Sequence, residues 1–260
     1  ALANELREAR EGGSLRLSAE LHRSLIENAG SVIKAFIEAE LILASMVGES
    51  RGDADIDDEE EIVEELEDVS PEEARLNAAA VVVRFAATAG ALDFLSTLVH
   101  ERASQYVSAG EHAVEDVVMA RFAEACYFSL SVLGRALADA SEDEMPCVPV
   151  EFLSLTNDAS GAHNLAATQL TFNRALESLL RASDADSALL RLDAERGSHF
   201  ASPRVSTALA DALCRVAGTY LLPIYESTQR AASSLVSEST VLLARSVCIG
   251  KAIDNLLDRG

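Results

Sequence analysis

The residues best placed to do chemistry in this 260-residue chain are acids. Asp53, Asp55, Asp57 and Glu64 occupy positions 1, 3, 5 and 12 of an EF-hand-like loop, where oxygen ligands would surround calcium. Two positions break that pattern. Asp58 stands where the sharp turn needs glycine, and Glu60 stands where an apolar residue is normal. Dense acidic runs produce such spacing without a metal site, so the plain reading of Glu49–Glu73 is a solvated loop between helices. Its functional readings are a docking segment for a basic partner and a calcium-responsive loop.

Other chemistries lack their residues. None of the five histidines (His22, His100, His112, His163, His199) follows a glutamate at three-residue spacing, so the Glu-x-x-His pairs of di-iron bundles are missing. His100-Glu101 does not extend to H-E-x-x-H. No glycine-rich loop follows a strand, as phosphate binding would require. The aspartate-rich helix motif of terpene-type magnesium enzymes has its nearest match in Asp53–Asp58, inside the acidic run. Cys126, Cys147, Cys214 and Cys248 show no C-x-x-C spacing, which excludes a zinc knuckle or a dithiol redox motif. Glu111, His112, Glu115 and Asp116 read as dipole-complementing residues at a helix start. An enzyme or ligand carrier would need a convergent polar set, for which Arg84, Asp93, His100 and Glu124 are the candidates. No catalytic, cofactor-binding or metal-ligating residue is assigned, and no cofactor is expected.

These residues must be held by helices. Hydrophobic residues make up 49% of the chain and aromatics only 5%, so an interior of Ala, Leu, Val and Ser is expected between closely packed helices. The net charge of −22 repels phosphate backbones and anionic membrane surfaces, which argues against nucleic acid as a partner. No signal-peptide pattern opens the sequence, and the unclustered cysteines suit a reducing compartment, so an intracellular, soluble protein is expected. A chain starting at Ala1 reads as trimmed, processed or excised from a larger protein.

The stretch Leu76–Val99 is the most apolar and is expected to be the most buried helix, starting at Pro71 and running to about Val107. Ser70, Pro71 and Glu73 supply a cap, a first-turn proline and a capping box. Arg84 and Asp93 are nine residues apart, which on one continuous helix puts them on opposite faces and roughly 13 Å apart along the axis. Each then needs a partner on a neighbouring helix or a path to a wetter rim. Two charges and acidic flanks make this stretch a poor membrane span, and no stable membrane insertion is expected.

Around it, the pattern predicts a short helix over Ala1–Arg10 and a long one over Leu17–Val47. The long helix carries a seam of Leu21, Leu25, Ala29, Val32, Phe36, Ala39, Leu43 and Met46. Ile26, Ile33, Ile37 and Leu41 add a second stripe, so the apolar face is wide enough for two neighbours. Further helices are expected over Glu111–Ala140, Ala162–Arg181, Asp184–Arg196, from Ser202-Pro203 towards Pro223, and over Val236–Leu257, where Gly250 suggests close helix approach. Pro146 and Pro149 mark a break at 141–150.

The expected fold is all-α: an antiparallel bundle of roughly six to eight long helices. It divides into residues 1–140 with the acidic loop 49–73, the break at 141–150, and residues 151–260, either as two stacked subbundles or as one continuous domain. Leu209–Leu257, with Tyr220, Pro223 and Ser237-Glu238-Ser239 ahead of the last amphipathic stretch, loosely resembles the C-terminal helices of vesicle-tethering complex subunits. That resemblance spans a fifth of the chain without a specific motif, and it implies a helical rod that acts by binding partners. The expected function is a non-catalytic interaction or scaffold subunit, engaging protein partners through apolar helix faces and a basic partner at the acidic loop. A helical enzyme or carrier with an inter-helix pocket is the alternative.

Overall fold

The computed structural model describes residues 19–50, 70–87, 90–112, 115–139, 146–149, 151–152, 162–221 and 235. Helices make up 88% of this part, and the fold is all-α. The six helices are α1 (Ala19–Ser50), α2 (Pro71–Phe85), α3 (Ala91–Glu111), α4 (Asp116–Leu137), α5 (Ala162–Arg196) and α6 (Pro203–Val216). A π-helical turn, Ala217–Leu221, closes α6. The short helix expected over 1–10, the acidic stretch 51–69 with its calcium-like spacing, and the last helix expected over 236–257 lie outside the described residues.

The start of α2 follows from its residues. The Ser70 hydroxyl accepts the Glu73 backbone N–H at 3.1 Å, and Pro71 takes the first turn, where a missing N–H costs nothing. The Glu73 carboxylate turns instead to Arg135 of α4, at 3.4 Å.

The single helix expected from Pro71 to about Val107 is in fact two, α2 and α3. Gly90 sets the break with φ +90°, a left-handed conformation that glycine adopts without the steric penalty of a Cβ. Its carbonyl then accepts the Phe94 N–H at 2.9 Å and starts α3. Sequence reading passed over this glycine because apolar periodicity continues on both sides of it.

The most enclosed helix is accordingly α4, not the stretch 76–99. Every residue from Phe128 to Gly134 is buried, and α1, α2, α3 and α6 all pack on it. Met119, Cys126, Leu130, Leu133 and Leu137 of its expected stripe are buried, and Phe122 is partly so. Buried serines on these helices bond back to their own turn: Ser129 to the Ala125 carbonyl at 2.9 Å and Ser96 to the Leu92 carbonyl at 2.6 Å. Small, self-satisfied side chains let helices approach closely without orphaned hydroxyls. One such close approach, against backbone as well as side chain, is at Gly134 of α4. A Cβ added there would stand 2.6 Å from the Ala212 Cβ and 2.8 Å from its Cα.

By length and composition α4 is also apolar enough to cross a membrane, with an 18-residue window of mean hydropathy 1.4, of which 61% is buried inside the protein. Such a score is shared by core helices.

Two further boundaries differ from expectation. The helices expected over 162–181 and 184–196 are one continuous α5. Its buried face runs from Phe172 through Leu179 and Ser183 to Asp186 and Leu189. The polar residues 183–187 are absorbed because the Ser187 hydroxyl bonds the Ser183 carbonyl at 2.8 Å, while Ser206 of α6 reaches Asp186 at 2.9 Å. The helix expected from Glu111 begins at Asp116, so Glu111 ends α3 rather than opening α4. The Arg196 guanidinium bonds the Glu111 carbonyl there, at 3.1 Å.

At the proline break, Asp139 and Cys147 form an isolated antiparallel bridge, with N–H to carbonyl distances of 3.0 and 2.8 Å. Buried side chains from both sides of the break, from Ala29 to Leu235, join one hydrophobic cluster. Beyond the break, Phe172 of α5 stacks edge-on against Phe152 at 4.7 Å and Tyr220 at 5.9 Å, and the Tyr220 hydroxyl reaches back across it to the Leu137 carbonyl at 2.6 Å.

Candidate functional site

Arg84, Asp93, His100 and Glu124 do not converge, and three of them have their own structural partners. Arg84 is nearly fully buried near the end of α2, and its guanidinium pairs with Asp139 at 3.2 Å. The same group donates to the Arg135 carbonyl and, at 3.5 Å, to the Ala138 carbonyl. Tyr220 donates its hydroxyl to the Leu137 carbonyl at 2.6 Å. A helix leaves its last carbonyls unsatisfied, and here side chains from two other elements supply the donors that buried α4 cannot get from water. Burial pushes the Tyr220 hydroxyl well above the ordinary phenol range, so it stays a donor.

Asp93 sits at the rim of α3, where Arg174 approaches at 3.4 Å and Thr171 at 3.5 Å. Of the two outcomes weighed for the Arg84 and Asp93 charges, Arg84 takes the buried partner and Asp93 takes the rim. His100 is exposed.

Glu124 belongs to the densest polar constellation among the described residues. Arg204, at the start of α6, contacts Glu124 at 3.0 and 3.2 Å and Glu72 of α2 at 2.5 Å. Its guanidinium lies 4.0 Å above the Tyr127 ring, and Tyr127 donates to Glu72 at 2.6 Å. The two carboxyls are pushed apart. For Glu124, burial dominates and raises the pKa against the pull of Arg204. For Glu72, burial also raises it, but the Tyr127 and Arg204 bonds outweigh that and lower it. Such a split resembles an acid–base pair. The guanidinium bonded to both carboxylates makes it a clasp joining α2, α4 and α6. No spacing rule links Glu72, Glu124 and Arg204, and sequence reading found only the second.

A second clasp holds the α5–α6 turn. Asp193 accepts the N–H groups of Phe200 and Ala201 at 2.8 and 2.7 Å and the Ser198 hydroxyl at 2.8 Å. Tyr106 of α3 donates to the Phe200 carbonyl at 2.9 Å and accepts the Ser202 N–H at 2.5 Å. Gly197, at φ +66°, makes the turn possible.

Cys126 is buried, and burial pushes its thiol up to about 12, which keeps it protonated and unreactive at neutral pH. Among the described residues, no group of three or more His, Cys, Asp or Glu side chains is arranged to hold a metal ion.

The outward side of α1 is different in kind. Of its two apolar stripes, the second faces inward: Ile33 and Ile37 are buried with Ala29, and Leu41 packs partly on the core. The inner face is completed by an acid. Glu40 is buried and receives the Arg75 guanidinium at 2.5 and 3.0 Å. Of the described seam, Val32 (41% exposed), Ala39 and Leu43 (44%) face away, while Ala29 is buried and Phe36 packs partly on the core; Ala35, beside the seam, is also exposed. Comparison with known protein families, curated proteins and solved structures finds no match.

Proposed function

We propose that this chain is a non-catalytic helical interaction subunit that engages a protein partner through the outward face of α1. The observation that carries this reading is the exposure of Val32 and Leu43, with Ala35 and Ala39 between them, at helical spacing on a helix whose other face is already buried. The polar clusters support it from the other side, because their groups are spent on capping α4, clasping α6 and holding the α5–α6 turn.

The scaffold is best read as one up-and-down bundle with an intact core across the proline break. Support comes from paired contacts. Glu40 meets Arg75 and Gly30 approaches Phe94, while Glu72 meets Tyr127 and Arg84 meets Ala138. Asp93 meets Arg174 and Glu111 meets Arg196, while Glu124 meets Arg204 and Leu137 meets Tyr220. Consecutive helices then alternate in direction. An intracellular setting without nucleic-acid binding remains the reading that fits the net charge of −22 and the cysteine pattern.

The test is a photo-crosslinking residue in place of Ala39, compared with the same residue in place of exposed Glu195. Discrete protein adducts formed in cells from position 39 but not from position 195 are expected. Identical adduct patterns at the two positions, or none at either, refute the reading.

A further inference from the structure

We infer that the Glu40–Arg75 ion pair is a register lock, which fixes how far α1 is slid along α2. The apolar stripe of α1 leaves that choice open. Its inward side steps by four, through Ala29, Ile33, Ile37 and the partly buried Leu41. A slide of one turn, about 6 Å, therefore brings one aliphatic side chain to the place of the next. The connection permits such a slide. Residues 51–70 join α1 to α2, and that length of chain reaches much further than one helical turn.

Charge removes the degeneracy. The Glu40 carboxylate is buried on the inner side of α1 and accepts two guanidinium N–H bonds from Arg75, at 2.5 and 3.0 Å. The Arg75 side chain is 43% exposed, so water reaches its end of the pair far more readily than the Glu40 end. A slide in one sense carries Glu40 to the level of Phe36 and Ile37, among side chains packed on the core. There the carboxylate is parted from its guanidinium in an apolar setting, which is strongly disfavoured. A slide in the other sense sets Phe36 and Ile37 at the level of Arg75 and breaks the same two bonds. One pair thus penalises both neighbouring registers, as a single buried polar residue does in a coiled coil. The register also sets the height at which Val32, Ala39 and Leu43 stand on the outside of the bundle. The lock belongs to the fold and holds whatever that outer face meets.

The experiment uses the full chain, isotope-labelled for NMR, in three forms: wild type, Glu40→Leu with Arg75→Leu, and the charge-swapped Glu40→Arg with Arg75→Glu. A Cβ at Gly30 would stand 3.7 Å from the Phe94 ring, so the nuclear Overhauser contacts of that ring read the register. Wild type is expected to show one set of α1 resonances, with ring contacts at Gly30. The double-leucine protein is expected to keep its helicity by circular dichroism and to show a second set. That set carries about a tenth or more of the intensity, with ring contacts at residue 26 or 34. The charge-swapped protein is expected to return to one set. One set with contacts at Gly30 alone in the double-leucine protein would leave the register to shape, and would overturn the inference. A second set persisting in the charge-swapped protein overturns it too, because the lock is then not a pairing of opposite charges. Should the double-leucine protein unfold, Glu40→Met alone takes its place under the same two outcomes.

Discussion

Two glycine-to-alanine substitutions in helices should change stability in opposite directions. At Gly134, a new methyl group would stand 2.6 Å from the Ala212 Cβ and 2.8 Å from its Cα. Carbon atoms in good contact are about 3.5–4.0 Å apart, so α4 and α6 must separate by about 1 Å. The obstacle is backbone and Cβ of a neighbouring helix, so no rotamer change relieves it. Leu130, Leu133 and Leu137 are fully buried around it, leaving little room for adjustment. Overpacking of this kind costs about 1–3 kcal/mol, and the upper half of that range applies to so constrained a contact. Alanine's helix propensity returns about 1 kcal/mol, for a net loss of about 1–2 kcal/mol. At Gly30 of α1 the nearest atoms belong to the Phe94 ring at 3.7 Å, an ordinary contact, so Gly30→Ala should stabilise by about 0.5–1 kcal/mol. Urea denaturation followed by far-ultraviolet circular dichroism reads both as midpoint shifts of opposite sign with unchanged slope. Ala212→Gly placed in the Gly134→Ala background should recover only part of the loss, because the residue 212 Cα still stands 2.8 Å from the new methyl group and glycine costs α6 about 1 kcal/mol. A Gly134→Ala protein as stable as the original would refute the close approach of α4 and α6.

The remaining predictions concern the polar clusters. Arg84→Met leaves Asp139 and the α4 carbonyls without the buried guanidinium, and should cost about 3 kcal/mol in the same assay, with Arg84→Lys failing to restore the two-carbonyl contact. Asp193→Asn should cost about 1–2 kcal/mol at neutral pH and loosen the α5–α6 turn, read as faster hydrogen exchange at Phe200 and Ala201. Burial alone would raise the Asp193 carboxyl, but the Ala201 and Phe200 N–H bonds hold it below the usual aspartate value. Its stabilising contribution is therefore full above the unfolded pKa of about 3.9 and is lost as pH falls through the lower folded value, so the stability gap between wild type and variant should begin to narrow near pH 4 and close only below the folded value. Thiol labelling with peptide mapping should modify exposed Cys147 and Cys214 in the native protein and reach buried Cys126 only on unfolding.

Sequence reasoning reached the helical class because helical periodicity and caps are local properties. Ser70-Pro71 and Ser202-Pro203 precede α2 and α6, and Gly197 ends α5, each for reasons visible within a few residues. It failed where a local signal was ambiguous. Gly90 reads as one tolerable glycine in an apolar run, and nothing nearby in sequence announces its φ of +90°. The polar stretch 183–187 reads as a break, yet Ser206 and the helix's own carbonyls satisfy it. The clasp of Arg204 on Glu72 and Glu124 joins residues far apart in the chain, and spacing carries no information about such a meeting.

The sequence by itself determined that this chain folds as helices, that its surface field is negative, and that α1 carries two apolar stripes. Composition and short-range pattern are enough for those conclusions. Only the tertiary structure decided which stripe the core takes. Ile33 and Ile37 turn inward and the buried Glu40 finds Arg75, so Val32, Ala39 and Leu43 are left facing out. Either stripe satisfies helical periodicity equally well. The choice belongs to packing against α2, α3 and α4, which is a property of the assembled helices and not of any one of them.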